Sequence, residues 1–352
     1  MKRKLVYYHI GTSTFIEKDI ELLNTEYDVQ VEYFDTLNKY KLPLELIKQF
    51  FILITLKKNT IVVSQFAGFH TALPSFFDFL KKLKTVIVLG GTDCVHFPSI
   101  RYGNYDRFFL RIFTKYSIKN ASLLLPVDDS LIRYKYNYQP NDRSEQGYEV
   151  FCGKIYGNVE VIYNGYDDSK WRNSTKEREK NSFVTIGARL NSRFGFQLKG
   201  IDLIIEVARL NPNSKFYIIG GKKLEVSNKP TNVILVDKIP NNELNEFLQS
   251  KEFYLQLSMS EGFPNALCEA MLSGCIPIVS NVGAMPKIVK ETGYLLQKKD
   301  INLLDNIIKE SIALSSKIKK DLSDKNHHRI KNNFSFFLRK EKFLNAIKKA
   351  CN

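Results

Sequence analysis

The stretch "FYLQLSMSEGFPNALCEAMLSGCIPIVS", residues 253–280, decides the fold. Two apolar runs, FYLQLS (253–258) and IPIVS (276–280), bracket a segment of helical pattern. Their apolarity is continuous rather than alternating, which marks strands covered on both faces, as in parallel sheets. Gly262 and Pro264 prevent a helix from running through both Glu261 and Glu269. Pro264 suits a first helical turn and Gly274 a C-terminal cap. On one helix the two carboxylates would stand roughly 12 Å and about 80° apart, too far for a tight dyad. With a turn between them, both can face one ligand lying along the helix start. There the backbone N–H groups of Asn265, Ala266 and Leu267 and the helix dipole favour an anion. The place is the carboxyl end of a strand, where open α/β sheets bind ligands. A phosphate flanked by hydroxyl-rich groups fits this set, because carboxylates accept hydrogen bonds from hydroxyls. The other reading of the same residues is a surface helix start supported by two glutamates.

The pattern recurs outward in both directions. KLVYYH (4–9), VQVEYF (29–34), TIVVS (60–64), TVIVLG (85–90), SLLLPV (122–127) and VEVIYN (159–164) read as strands of a first half. FVTIG (183–187), KFYIIGG (215–221) and NVILV (232–236) join the opening pair in a second half, with GIDLIIEVARLN (200–211) as a crossover helix. Repeated strand–helix order gives an α/β class with two doubly wound sheets. The polar stretch 165–182 reads as a linker, and FSFFLRKEKFLNAIKKA (334–350) as an amphipathic helix. The expected division is 1–165, 166–333, and a terminal helix 334–352 that packs back on the first domain.

Composition narrows the class of protein. With 352 residues and 44% hydrophobic content the chain can bury two cores. The apolar run FFILITL (50–56) is far too short to span a bilayer, and MKRKLVYYHIG reads as a strand rather than a signal peptide. The five cysteines, Cys94, Cys152, Cys268, Cys275 and Cys351, include no C-x-x-C pair, which fits a reducing cytoplasm without disulfides or zinc. His327–His328 lack acidic or thiol partners at ligand spacing, and VDDS (127–130) is no D-x-D, so no metal is expected. The net charge of +15 calls for an anionic partner. Arg107, Arg111 and Lys115 would line one helical face, and the expectation is solvated surface or peripheral docking on the inner face of an anionic cytoplasmic membrane. No helix-turn-helix, zinc-finger or RNP-like pattern accompanies the charge, so no nucleic acid partner is expected.

Several segments together resemble one family. EGFPNALCEAMLSGCIPIVS looks like the E-x7-E segment of the retaining glycosyltransferases of family 4, which have the GT-B fold: two Rossmann-like domains facing across a cleft. VIYNGYD (161–167) resembles that family's domain junction, and IGARLNSRFGFQLKGIDLIIE (186–206) its basic segment. FYIIGG (216–221) with VILVDKIPNNEL (233–244), and VIVLGGTDC (86–94), match further segments in the family's order.

The resemblance implies a nucleotide-sugar donor, UDP- or GDP-linked, a glycan or lipid-linked acceptor, and retention of configuration without a metal, in the making of cell-surface polysaccharide. Arg189 and Lys199 would neutralise the departing diphosphate, and Glu261 would hold hydroxyls of the transferred sugar. Backbone at Gly262, Phe263, Asn265 and Ala266 would assist, Glu269 would bind the ribose, and Lys238 and Ile239 would border the base. Gly11 would leave room near the phosphates or acceptor. Gly90 stands where the family often has histidine, so His70 or Asp93 would supply the polar contact on the acceptor side. Two further classes share these residues: a sugar-nucleotide epimerase or hydrolase, and a non-catalytic nucleotide-sugar-binding protein.

Overall fold

The computed structural model describes residues 2–38, 40–174, 177–192 and 194–350; Cys351 lies outside them. The chain divides into two compact units. The first holds residues up to Lys135, then Glu145–Asn164 and the segment from Phe337; the second holds Tyr136–Ser144 and Gly165–Phe336.

In the first unit the strands are β1 (Arg3–His9), β2 (Tyr27–Tyr33), β3 (Thr60–Gln65), β4 (Leu83–Leu89), β5 (Leu123–Pro126), a short hairpin β6 (Tyr134–Lys135) and β7 (Glu145–Gln146), and β8 (Asn158–Val159). Its helices are α1 (Thr14–Asn24), α2 (Leu42–Thr55), α3 (Phe69–Phe79), α4 (Phe108–Asn120) and α5 (Tyr148–Cys152). The main sheet is parallel in the order β2-β1-β3-β4-β5-β8. All six residues of β3 are buried, as its unbroken apolar run requires. The run VEVIYN forms only the end of β8, after which Glu160 and Ile162 still donate backbone N–H bonds to Leu124 and Pro126 of β5.

In the second unit the strands are β9 (Glu179–Ile186), β10 (Lys215–Ile219), β11 (Val233–Val236), β12 (Lys251–Gln256), β13 (Ile276–Ser280) and β14 (Tyr294–Leu296). Its helices are α6 (Gly195–Leu198), α7 (Ile201–Leu210), α8 (Asn241–Gln249), α9 (Asn265–Leu272), α10 (Met285–Val289), α11 (Ile301–Ala313) and α12 (Ser316–Asn333); α13 (Phe336–Ala350) then returns to the first unit. The sheet order is β11-β10-β9-β12-β13-β14, again parallel. Phe216, Phe183 and Phe253 share one register line across three strands and stack at 5.0 and 4.9 Å. This aromatic ladder fixes the pairing, since a one-residue slip would turn each ring to the opposite face.

The stretch 165–182 is not a bare linker. Trp171 is buried, and Arg178 donates to the carbonyls of Lys251 and Ser273 and to Asn173 Oδ1. Glu179, the first residue of β9, accepts from Lys215, Lys251 and Tyr217. Burial raises the Glu179 carboxyl, but these donors outweigh it and hold the pKa near 2. Two of the charged residues that made this stretch look like a linker, Arg178 and Glu179, therefore bind its end down.

α13 is fixed in the first unit by a buried ion pair. Arg339 Nη2 and Nε donate to Asp19 Oδ1 of α1 at 2.7 and 3.1 Å, and Nη1 donates to the carbonyls of Ile162 and Tyr163. Among the described residues no helix is long and apolar enough to cross a membrane.

Candidate functional site

In the second sheet, β9, β10 and β11 step one way and β12, β13 and β14 step the other. The reversal falls between β9 and β12, and it is at the carboxyl ends of such a reversal that doubly wound sheets bind ligands. Both loops leaving this switch point carry the residues singled out in the sequence.

The β9 loop brings Arg189 and Lys199. Arg189 is exposed and holds φ +55, an uncommon state for a residue with a side chain. Its carbonyl accepts from Ser192 N, which closes the turn. Further on, Leu198–Gly200 lies against the β12 loop: Met259 N donates to Leu198 O at 2.8 Å. Gly200 has φ +67, and a Cβ there would stand 2.3 Å from Leu257 O. Only glycine lets the two loops come this close.

The contact delivers Lys199 Nζ to Glu261 Oε1 at 2.5 Å. The same oxygen accepts from Gln256 Nε2 at 2.9 Å and Ser258 Oγ at 2.7 Å. Behind them, buried Tyr254 donates its hydroxyl to Gln256 Oε1. Glu261 is thus gripped by one oxygen, through a chain that begins inside strand β12. Gly283, at φ +53, presses on the same residue from the loop after β13; a Cβ there would stand 1.9 Å from Glu261 O.

α9 begins at Asn265, with Pro264 as its N-cap rather than inside the first turn, and closes through Gly274 at φ +83. Tyr166 donates its hydroxyl to Asn265 Oδ1 at 2.7 Å. Phe263 is buried between the rings of Tyr166 and Phe334, so its side chain anchors the turn. Glu269 is half-buried in the second turn of α9. Both glutamates act on one buried phenol: burial first, then the charges of Glu261 and Glu269, push the Tyr254 hydroxyl well above its ordinary pKa.

Lys238 and Ile239 follow β11, two strands from β9 and so about 10 Å along the sheet edge. Lys238 is exposed, and its N–H is turned onto Asp237 Oδ1.

The residues expected on the acceptor side lie in the first unit. Gly11 follows β1, next to that sheet's own reversal between β1 and β3. A Cβ at Gly11 would meet no atom within 4 Å, so the space around it is open. His70 and Asp93 do not offer polar contacts there. His70 is buried in the first turn of α3, its Nε2 held on Gln65 O, and burial lowers its pKa to about 4. Asp93 is fully buried and accepts from the backbone N–H groups of Ala67, Gly90 and Gly91. Its carboxylate organises the loops and has no face toward solvent. Gly90 has no room for a side chain, because the Phe66 ring lies 2.3 Å from where its Cβ would be. Phe66 itself sits at φ +62, strained for a bulky residue, at the carboxyl end of β3. The sequence holds no signal for this role beyond the glycine that yields the space.

Known proteins resemble the chain over one of its units and over its whole length. Residues 167–334 match the model of the family described as Glycosyl transferases group 1. Protein CapJ of Staphylococcus aureus is 26% identical over 317 residues, 83% of this chain and 74% of its own. The capsular polysaccharide biosynthesis glycosyltransferase CapH of Staphylococcus aureus is 32% identical over 180 residues, 47% of this chain but 46% of its own length. Among solved structures, Anabaena HepE in complex with UDP-glucose aligns with a TM-score of 0.71 at 13% identity, over 98% of this chain and 99% of that one. That likeness speaks for the fold alone: two parallel-sheet, Rossmann-like units of the GT-B type.

Proposed function

We propose that this chain, whose residues 167–334 carry a Glycosyl transferases group 1 domain, transfers a sugar from a UDP- or GDP-linked donor to a glycan or lipid-linked glycan with retention of configuration. The observation that carries the proposal is the pinned Glu261 beside Lys199 at the β9/β12 switch point. Three donors hold Oε1, and Oε2 would accept from ligand hydroxyls. Lys199 supplies fixed positive charge where the diphosphate leaves, and Arg189 adds a second cation from the same loop. Charge in place before the leaving group develops its own lowers the barrier without reorganisation. Glu269 receives the ribose hydroxyls one turn into α9, and the α9 N-terminus faces the phosphates. Lys238 and Ile239 border the base. No carboxylate serves as a covalent nucleophile; positioning and leaving-group stabilisation carry the reaction. The capsular relative CapH supports cell-surface polysaccharide as the product class.

A thermal-shift panel of UDP- and GDP-sugars tests donor binding, since a bound donor raises the melting temperature by mass action. Lys199→Ala and Glu261→Gln should each lower transfer by ~100-fold or more. Full transfer by either variant, or no shift with any nucleotide sugar, refutes the assignment.

A further inference from the structure

α2 is apolar on the side that should be polar. Its inward stripe runs through Leu42, Leu46, Gln49 and Leu53, and Gln49 donates to His70 O there. The outward stripe is Leu44, Ile47, Phe51 and Ile54, exposed at 66%, 54%, 59% and 39%. A surface helix normally shows charge on that side. The only acid of α2 is Glu45 and its only lysine, Lys48, pairs with Glu32.

Further apolar surface lies along the other edge of α2. A groove of about 280 Å³ joins Leu46 of α2 to Leu73 and Phe76 of α3 and to Ile112 and Phe113 of α4. A larger one of about 1000 Å³ joins Leu37 and Tyr40 to Phe69, Phe108, Phe109 and Phe113. The grooves share Phe113, so the loop before α2, the core-side edge of α2 and the start of α4 are lined by apolar side chains, beside the exposed stripe of α2.

Its rim is cationic. Lys41 precedes α2 and Lys57–Lys58 follow it; Arg107, Arg111 and Lys115 mark the α4 side, and α4 contains no acid. Arg111 lies over the Phe108 ring at 5.4 Å. A second copy packed by two-fold symmetry would face this rim with the same charges. An anionic bilayer surface meets both features at once. α2 is about 21 Å long, too short to span the hydrocarbon but sized to lie in the headgroup boundary.

We propose that α2 and the start of α4 dock the first unit on an anionic phospholipid surface. Leu44, Ile47, Phe51, Ile54, Phe108 and Phe109 enter the acyl boundary, and Lys41, Lys57, Lys58, Arg107, Arg111 and Lys115 meet the headgroups. The proposal rests on this surface alone and stands apart from the donor site.

The test is cosedimentation of the full chain with phosphatidylcholine vesicles, with and without phosphatidylglycerol. Binding should require phosphatidylglycerol and weaken as salt rises. An Ile47→Asp, Phe51→Asp double variant should bind at least ~10-fold more weakly. An Arg107→Gln, Arg111→Gln, Lys115→Gln triple variant should lose roughly 100-fold. The thermal shift with nucleotide sugars should be the same in each, which reports folding and a separate donor site. Equal binding to neutral vesicles, or none to anionic ones, overturns the proposal. So does a concentration-dependent dimer in sedimentation velocity that the Ile47, Phe51 variant abolishes, since a second copy would then be the occupant.

Discussion

Arg339→Met should unseat the end of the chain. Arg339 and Asp19 are 5% and 1% exposed, so this is an ion pair removed from water. The substitution keeps an unbranched apolar stem, ends it short of the guanidinium nitrogens, and removes four hydrogen bonds, two to Asp19 and two to the carbonyls of Ile162 and Tyr163. It leaves a buried carboxylate without its cation, a loss of about 3–5 kcal/mol. Asp19 is already strained electrostatically: its Oδ2 has no partner, and burial raises its pKa while Arg339 pulls it down. Without Arg339 the folded-state pKa rises further above the unfolded value. A raised acid stabilises below its unfolded pKa and loses that contribution as pH climbs through the folded one. The variant should therefore lie closer to the parent at pH 4 than at neutral pH. An Asp19→Leu, Arg339→Met double variant should recover much of the loss, because no charge remains buried. The assay is urea unfolding followed by circular dichroism, with fluorescence of the single tryptophan, Trp171, reporting the second unit. Loss below ~1 kcal/mol at neutral pH, a double variant no better than the single one, or an equal shift in the Trp171 transition refutes the reasoning.

Gly283→Ala would push a methyl group against Glu261 O, so transfer should fall by ~10-fold or more while the fold is kept, as checked by kinetics beside circular dichroism. Ser258→Ala removes one of the three donors to Glu261 Oε1; kcat should drop about tenfold with little change in nucleotide affinity by calorimetry. His70 has a depressed pKa near 4, so its contribution is intact above the unfolded value and is lost as pH falls toward 4. From pH 7 to pH 5 this should cost the first unit roughly 2 kcal/mol in denaturant titrations, and His70→Asn should flatten that slope.

The sheets were legible because parallel strands buried on both faces leave continuous apolar runs, as in TIVVS and IPIVS. β14 escaped because three residues, Tyr294–Leu296, make no run. At the candidate site, Glu261 and Glu269 stood out by residue type and spacing, and Lys199 through the family resemblance. Gln256 did not, because a polar residue in a strand is ordinary until its partners Glu261 and Tyr254 are in place. Asp93 misled in the opposite way. It stood as a substitute for the histidine the family often has at Gly90, but backbone N–H groups of neighbouring loops hold its carboxylate. The outward face of α2 was hidden for a simpler reason. FFILITL has the composition of a buried helix, and composition alone does not tell inside from outside.

The passage of the chain between its units has a consequence for synthesis. Tyr136–Ser144 belongs to the second unit, where Tyr138 O accepts from Lys299 N, and α13 belongs to the first. A growing polypeptide leaves the ribosome in order, and domains usually close as they emerge. Here the first unit cannot close that way. Asp19 is made early, and Arg339 arrives only after the whole second unit has been translated. Until then Asp19 of α1 lacks the cation that pairs with it in the finished fold. A fragment cut after Asn164 would lack it permanently.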